Sequence, residues 1–398
     1  MSSDQVPAVE RQILKLLVLV DHAEGISGPH RNVVGSLNAL GRRDDIQVRL
    51  LCSRIDPAEP YAGAKNIEIL NGYWPHDVNA VFRNIARVSS AARGCELIYV
   101  PSGLKSLLYA QAGRFGKPIV AGPNVSPLPF TKSDSPGPIE LRLLSNQWIE
   151  NSANRRDFVV QKTGHTAVRI VLHGIDLDKW SPDKRNPAIW NEFGVPAGGL
   201  KLLYVGGGDA TRKGVAQLID AFELIRKQSP SDDLQLVLAG KISEKSIERL
   251  RRIGCAYCLG FVRSEQLAAL YASADISIVP SSWESFGFTV LEAMASGLAV
   301  IGGRAGGIKE QIVHGESGIL IDITDDEVIH RPDAGERIAS AVRMLAADTA
   351  LRERLGRAAR QRALTHFSEL RLGAELTDIF RDVCNRPRAL AAAGTPTA

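Results

Sequence analysis

The chain has 398 residues, 44% of them hydrophobic, and its 48 Lys+Arg against 44 Asp+Glu give a formal net charge of +4. That length exceeds one ordinary core and suits two domains, while the small charge excess argues against a nucleic-acid-binding protein. The apolar segment Ile13 to Val20 has the length of a strand rather than of a membrane span, and the opening MSSDQVPAVE does not read as a signal peptide, so a cytoplasmic location is expected.

In chain order, apolar strand candidates alternate with helical patterns, as in parallel sheets. The first half offers strands at 14–21, 47–52, 96–100, 118–122 and 158–161, helices at 30–41, 78–92 and 105–115, and an exit strand over 168–176. Residues 177–201 contain Pro182, Pro187, Pro196 and Gly198-Gly199 and read as a linker. A second series then begins. Strands are expected at 200–206, 234–240, 256–262, 276–280, 298–303 and 318–322, with helices at 214–228, 243–253, 264–273, 286–296, 334–347 and 350–364. A last helix near 368–384 is expected to pack back on the first half, and the tail from 386 to 398 to be disordered.

Residues 1–180 hold 21 Lys+Arg and 17 Asp+Glu, and the remainder holds 27 of each. The excess in the first half is compatible with an acidic or phosphate-bearing ligand, or with peripheral contact at the inner face of an anionic membrane, beside the plain reading of a solvated basic face. The cysteines Cys52, Cys95, Cys255, Cys258 and Cys384 are few and scattered. Cys255 and Cys258 form one C-x-x-C without a second pair, which suits small buried side chains better than zinc. No His or carboxylate pair has metal-site spacing, and the doublets Asp44-Asp45, Asp232-Asp233 and Asp325-Asp326 fall at helix ends or loops, so neither metal nor cofactor is expected. His22, His30, His173 and His314 lie in loops or near strand ends.

The segment SSWESFGFTVLEAMASG (281–297) carries the strongest chemical pattern. Glu284 and Glu292 are separated by seven residues. A strand ends at Pro280, a polar turn follows, and a helix is expected to open near Ser285. Amides of Ser285, Phe286, Gly287 and Phe288 would then face outward at a positive helix end, suited to phosphate or sugar hydroxyls. Glu292, further along, has the acceptor geometry for two ribose hydroxyls.

This stretch resembles the E-x7-E motif of glycosyltransferase family 4. VLHGIDLDKWSP (171–182), YVGGGDATRKGVAQLIDAF (204–222) and GGIKEQIVHGESGILID (306–322) are similar to that family's domain exit, glycine-rich strand end and closing motif. The resemblance covers roughly residues 12 to 383 and is stronger in the second half. It implies a GT-B architecture: an α/β fold of two Rossmann-like doubly wound domains facing across a cleft. The expected division is an acceptor-binding domain over 1–177, a nucleotide-sugar-binding domain over 178–367, and a C-terminal helix over 368–385 crossing back to the first domain. It also implies a retaining, metal-independent transfer of a sugar from a nucleoside-diphosphate sugar to an unidentified acceptor.

The resemblance assigns roles residue by residue. Lys213 matches the lysine on the donor pyrophosphate, with Arg212 as a helper. Glu284 meets the transferred sugar, Glu292 the ribose, and the turn at Ser285 to Phe288 the same sugar. Ser27 and Gly28 match the loop over the phosphates, and His173 serves either the hinge or the donor. The chain departs from the pattern twice. Gly207 stands where many members have arginine, leaving Arg212, Arg31 or Arg304 to supply charge. Asn124 stands where many have histidine, which removes acid–base chemistry there but keeps a hydrogen-bonding group. Two alternatives stay open: a non-catalytic nucleotide-sugar-binding relative, motivated by those departures, and a sugar-nucleotide epimerase. A Rossmann dehydrogenase is disfavoured because no G-x-G-x-x-G opens a helix after the first strand.

Overall fold

The computed structural model describes residues 12–24, 28–125, 145–207, 211–229, 233–326 and 329–386. The expected tail beyond 386, Ser27, and the doublet member Asp232 lie outside them. The chain divides into two compact units: residues 1–150, 158–171 and 372–398 form the first, and 151–157 with 172–371 form the second.

The first unit contains β1 (Leu14–Leu19), β2 (His22–Ala23), α1 (Gly28–Gly41), β3 (Ile46–Leu51), β4 (Arg54–Ile55), β5 (Ile67–Leu70), α2 (Val81–Ala91), β6 (Leu97–Ser102), α3 (Leu104–Gly113), β7 (Ile119–Asn124) and β8 (Gln147–Glu150). α4 (Ala153–Thr163) and β9 (Val168–Ile170) follow. Seven strands form one parallel sheet in the order β5-β3-β1-β6-β7-β8-β9. Leu16, Leu17, Val18 and Leu19 are all buried because both faces of the sheet are covered, the usual state of parallel strands. The chain runs from β1 outward to β3 and β5, then returns to β6 on the other side of β1. Such a reversal is a topological switch point, where doubly wound sheets open a crevice at the carboxyl ends of their strands.

The second unit contains α5 (Ile189–Glu192), β10 (Leu200–Val205), α6 (Val215–Gln228), β11 (Leu234–Ala239), α7 (Glu244–Ile253), β12 (Ala256–Gly260), α8 (Ser264–Ser273), β13 (Ile276–Val279), α9 (Phe288–Ala295), β14 (Ala299–Gly303), α10 (Ile308–Gln311) and β15 (Ile319–Ile321). The short pair β16 (Thr324–Asp326) and β17 (Ile329–His330), then α11 (Ala334–Ala347) and α12 (Thr349–His366), complete it. Its parallel sheet runs β12-β11-β10-β13-β14-β15, which puts the switch point between β10 and β13. The last helix, α13 (Glu369–Asn385), enters the first unit at Leu372. Its Leu372, Leu376, Ile379 and Phe380 share a core with Leu16, Val18 and Tyr99.

Four expectations are corrected. Residues 158–161 are helical, inside α4, and the strand of that region is β8. A four-residue apolar run does not distinguish the two states, and the hydroxyl of Ser152, accepting from Arg155 N–H at 3.4 Å, decides for helix. The strand β5 was not expected, since Ile67, Ile69 and Leu70 alternate over only four residues. Residues 177–201 are not a bare linker: Trp180, Ile189, Trp190 and Val195 are buried in the core of the second unit. Finally, α9 opens at Phe288 rather than near Ser285, because Gly287 has φ of 96°, a left-handed conformation that cannot continue a helix backwards.

Candidate functional site

β10 and β13 pair in parallel, with Leu202 opposite Ile276 and Leu203 opposite Ser277, so the chain leaves both strands at the same edge of the sheet. After β10 the chain passes Gly206 and Gly207, and a 3-10 turn over Thr211–Lys213 leads to Gly214 and α6. After β13 it turns through Pro280 to Gly287 before α9. The two turns are tied together. Ser282 N–H donates to the Arg212 carbonyl at 2.8 Å. Gly214, at φ of 71°, lies so near that a Cβ there would stand 2.0 Å from the Pro280 carbonyl oxygen.

This joining brings two distant charges into contact. The Lys213 ammonium donates to Glu284 Oε1, and Ser281 Oγ donates to the same oxygen at 3.0 Å. The two side chains are 23% and 12% exposed. A ligand that reaches this spot therefore meets an ammonium and a carboxylate that are already positioned but not sealed from solvent.

A third segment braces the turn. Gly307 N–H donates to the Glu284 carbonyl at 2.9 Å, and Gln311 Nε2 donates to the Phe286 carbonyl at 2.7 Å. A Cβ at Gly306 would stand 1.9 Å from Glu284 O, and one at Gly307 2.5 Å from Phe286 Cα. Only a glycine pair lets these backbones approach so closely. Sequence reasoning quoted this glycine pair within the closing motif without giving it a role, and it missed Ser281 and Gln311; the doubled glycine was the available signal.

The correction at α9 leaves Glu284, Ser285 and Phe286 in the turn. The amides at the start of this eight-residue helix are the ones without intrahelical partners, at its positive end. One turn along, Glu292 is fully buried, in a helix whose Val290, Leu291 and Met294 are buried as well.

His173 is 3% exposed, with Asn151 Nδ2 at 3.2 Å from its Nε2. Its ring meets Phe286 edge-on at 4.9 Å and stacks on Phe288 at 5.5 Å. Burial, assisted by the Arg371 charge, pushes its pKa down to about 3, so it is neutral at physiological pH. The structure thus brings His173 together with Phe286, in the turn that follows Glu284, and with Phe288, the first residue of α9.

The remaining predicted residues divide between the two units. Arg212 is exposed beside Lys213, and Gly207 is exposed with open space around its Cβ direction. Arg304 is held by Asp322 at 2.8 Å. Gly28, at the start of α1, Arg31 and Asn124, at the end of β7, belong to the first unit, and Ser27 falls outside the described residues.

Comparison with known proteins agrees with this architecture. Residues 199–345 match the family described as Glycosyl transferases group 1. The chain is similar to alpha-maltose-1-phosphate synthase of Mycobacterium tuberculosis, at 32% identity over 250 residues, 59% of this chain and 62% of that protein. It is similar to D-inositol 3-phosphate glycosyltransferase of Nocardiopsis dassonvillei, at 30% over 305 residues, 70% of this chain and 68% of that one. The match to the first of these thus spans about three fifths of the relative's length. Among solved structures, Anabaena HepE in complex with UDP and glucose superposes with a TM-score of 0.71 at 19% identity, covering 93% of this chain and all of that one. A glycosyltransferase from Rickettsia africae superposes with a TM-score of 0.73 at 15% identity, covering 94% and 99%. These neighbours establish the GT-B fold as two α/β domains with parallel sheets. No helix among the described residues is long and apolar enough to cross a membrane. The chain belongs to the glycosyl transferases group 1 family.

Proposed function

We propose that the protein is a retaining hexosyltransferase of the family 4 type, which transfers a sugar from a nucleoside-diphosphate sugar to a separate acceptor without a metal ion. One observation carries the reading: Lys213 and Glu284 are brought together beside the amino end of α9, at the switch point of the second sheet. HepE, whose structures contain UDP and UDP-glucose, shares the fold.

In this reading the Lys213 ammonium and the α9 amides hold the diphosphate and stabilise the charge that grows on it as the glycosidic bond breaks. Glu284 accepts from hydroxyls of the transferred sugar, Glu292 from the ribose, and Arg212 adds charge from the exposed side. The acceptor oxygen attacks the anomeric carbon on the face that the diphosphate leaves. The bond from that carbon to the phosphate oxygen breaks as the new one forms, and the departing oxygen takes the acceptor proton. Preorganised positive charge replaces a metal, so chelators leave the rate unchanged.

The test is to screen nucleoside-diphosphate sugars by thermal shift, then react the stabilising donor with candidate acceptors. NMR of the product should show the donor's anomeric configuration, with one nucleoside diphosphate released per transfer. An inverted product would overturn the retaining assignment. Failure of every donor to bind would overturn the transferase reading.

A further inference from the structure

The short hairpin of β16 and β17 follows the last strand of the second sheet and takes no part in that sheet. It is anchored at its base. Ile323, just before it, is fully buried in the core of the second unit, and Arg331, just after it, donates its N–H to the Ile323 carbonyl at 2.8 Å. Thr324 and His330 stand opposite each other in the antiparallel register. Backbone pairing thus fixes His330, and β17 lies beside the 3-10 turn over Thr211–Lys213.

The His330 imidazole reaches the other turn of the donor site. Its Nε2 lies 3.0 Å from the Pro280 carbonyl oxygen. A carbonyl only accepts, so Nε2 carries the proton. Among the described residues this is the only hydrogen bond to that oxygen. Pro280 is buried, and a buried carbonyl without a donor is unfavourable.

The same oxygen is where the two turns touch, since it stands against Gly214, the residue after Lys213. The next peptide is confined as well: a Cβ at Gly303 would stand 2.3 Å from the Ser281 carbonyl oxygen. Glu284 follows in this turn. A shift of the Pro280 carbonyl therefore moves the Glu284 turn relative to Lys213, and charges that act on a ligand tolerate little displacement.

The other end of the ring shows that packing does not by itself call for an imidazole. Nδ1 is buried with no hydrogen-bond partner among the described residues, and so is the hydroxyl oxygen of the facing Thr324. A buried nitrogen left bare is unfavourable. A carbon ring would fill the space without that penalty, but it could not donate to Pro280.

We propose that His330 is a positioning residue of the donor site: by donating to the Pro280 carbonyl it holds the turn before α9 against Gly214, and so sets the spacing of Lys213 and Glu284. The proposal rests on the transferase reading, because it assigns that spacing to a diphosphate and its sugar. His330 acts in this role through the backbone, with no contact to the reacting atoms.

Calorimetric titration of the full chain with UDP, paired with melting curves, tests this. His330→Ala should raise the Kd for UDP about tenfold. His330→Gln keeps an N–H donor at similar reach and should return the Kd to within about threefold of the unmodified protein. His330→Phe keeps a ring without a donor and should bind as weakly as the alanine variant, even where Tm recovers. A packing residue would give the reverse order, with phenylalanine restoring affinity and glutamine failing to. That order, or equal affinity in every variant, would overturn the proposal. Nitrogen-15 NMR of the histidine-labelled, unmodified protein reads the contact directly: His330 should carry its proton on Nε2, and a ring protonated only at Nδ1 would also overturn it. Failure of the unmodified protein to bind UDP would instead count against the donor reading itself, so the two failures are distinguishable.

Discussion

His173 presents its ring edge-on to Phe286 at 4.9 Å, with 3% of its surface exposed. Its folded pKa of about 3 lies far below the 6.5 of an unfolded histidine. Above pH 6.5 neither state binds the proton, and the ring's contribution to stability is complete. As pH falls toward 3 the unfolded chain takes up a proton that the folded chain refuses, so stability falls by up to about 1.4 kcal/mol per pH unit. Melting curves between pH 7 and 5 should show this loss, and His173→Asn should flatten part of the slope. An identical slope in the variant would remove His173 as a source of acid sensitivity.

Lys213→Ala should lower turnover about 10²- to 10³-fold, the usual cost of losing a preorganised charge at a leaving group. Because the Lys213–Glu284 pair is partly exposed, its loss should cost no more than about 1 kcal/mol of stability. Nucleoside diphosphate release and a melting curve together check both expectations. Near-normal turnover would refute the role of the ammonium.

Glu292→Gln preserves the shape of a fully buried side chain and removes its charge. Hydrogen bonds to a charged group exceed those to a neutral one, so the Kd for UDP should rise about tenfold while Tm holds. Calorimetric titration decides it. Unchanged affinity would take Glu292 off the ribose.

Two glycines separated by the turn after β10 should respond in opposite ways. At Gly214 a methyl group would strike the Pro280 carbonyl at 2.0 Å from a left-handed backbone, so Gly214→Ala should destabilise by more than about 1 kcal/mol and loosen the hold on Lys213. At Gly207 nothing lies within 4 Å of a Cβ, and the backbone is ordinary. Gly207→Arg should fold normally and tighten UDP binding about three- to tenfold by restoring a cation. If thermal shift shows the reverse order of stability, the close packing of the two turns is misdescribed.

Much of this architecture could be read without coordinates, because strands buried on both faces are nearly continuous apolar runs and helices between them are longer and amphipathic. LKLLVL and LQLVLA became β1 and β11, and the pattern over 334–347 became α11 with the same bounds. The Glu284–Glu292 spacing likewise marked the turn and helix after β13. Reading failed where local pattern is silent. The run at 158–161 is too short to choose its state, and residues 177–201 look like a linker until Trp180 and Trp190 are seen buried.

Amino-acid order by itself determined two alternating β–α series, the place where the second begins, and the segment most suited to an anion and a sugar. It did so because burial on two sheet faces and helix periodicity are local properties of the chain. Tertiary structure decided which distant groups meet: Lys213 with Glu284 across 71 residues, and Asp21 with His76 across 55. Those meetings follow from parallel strand order, which leaves no mark in residue spacing, and from glycines that let backbones touch, of which the sequence shows the residues but not the partners.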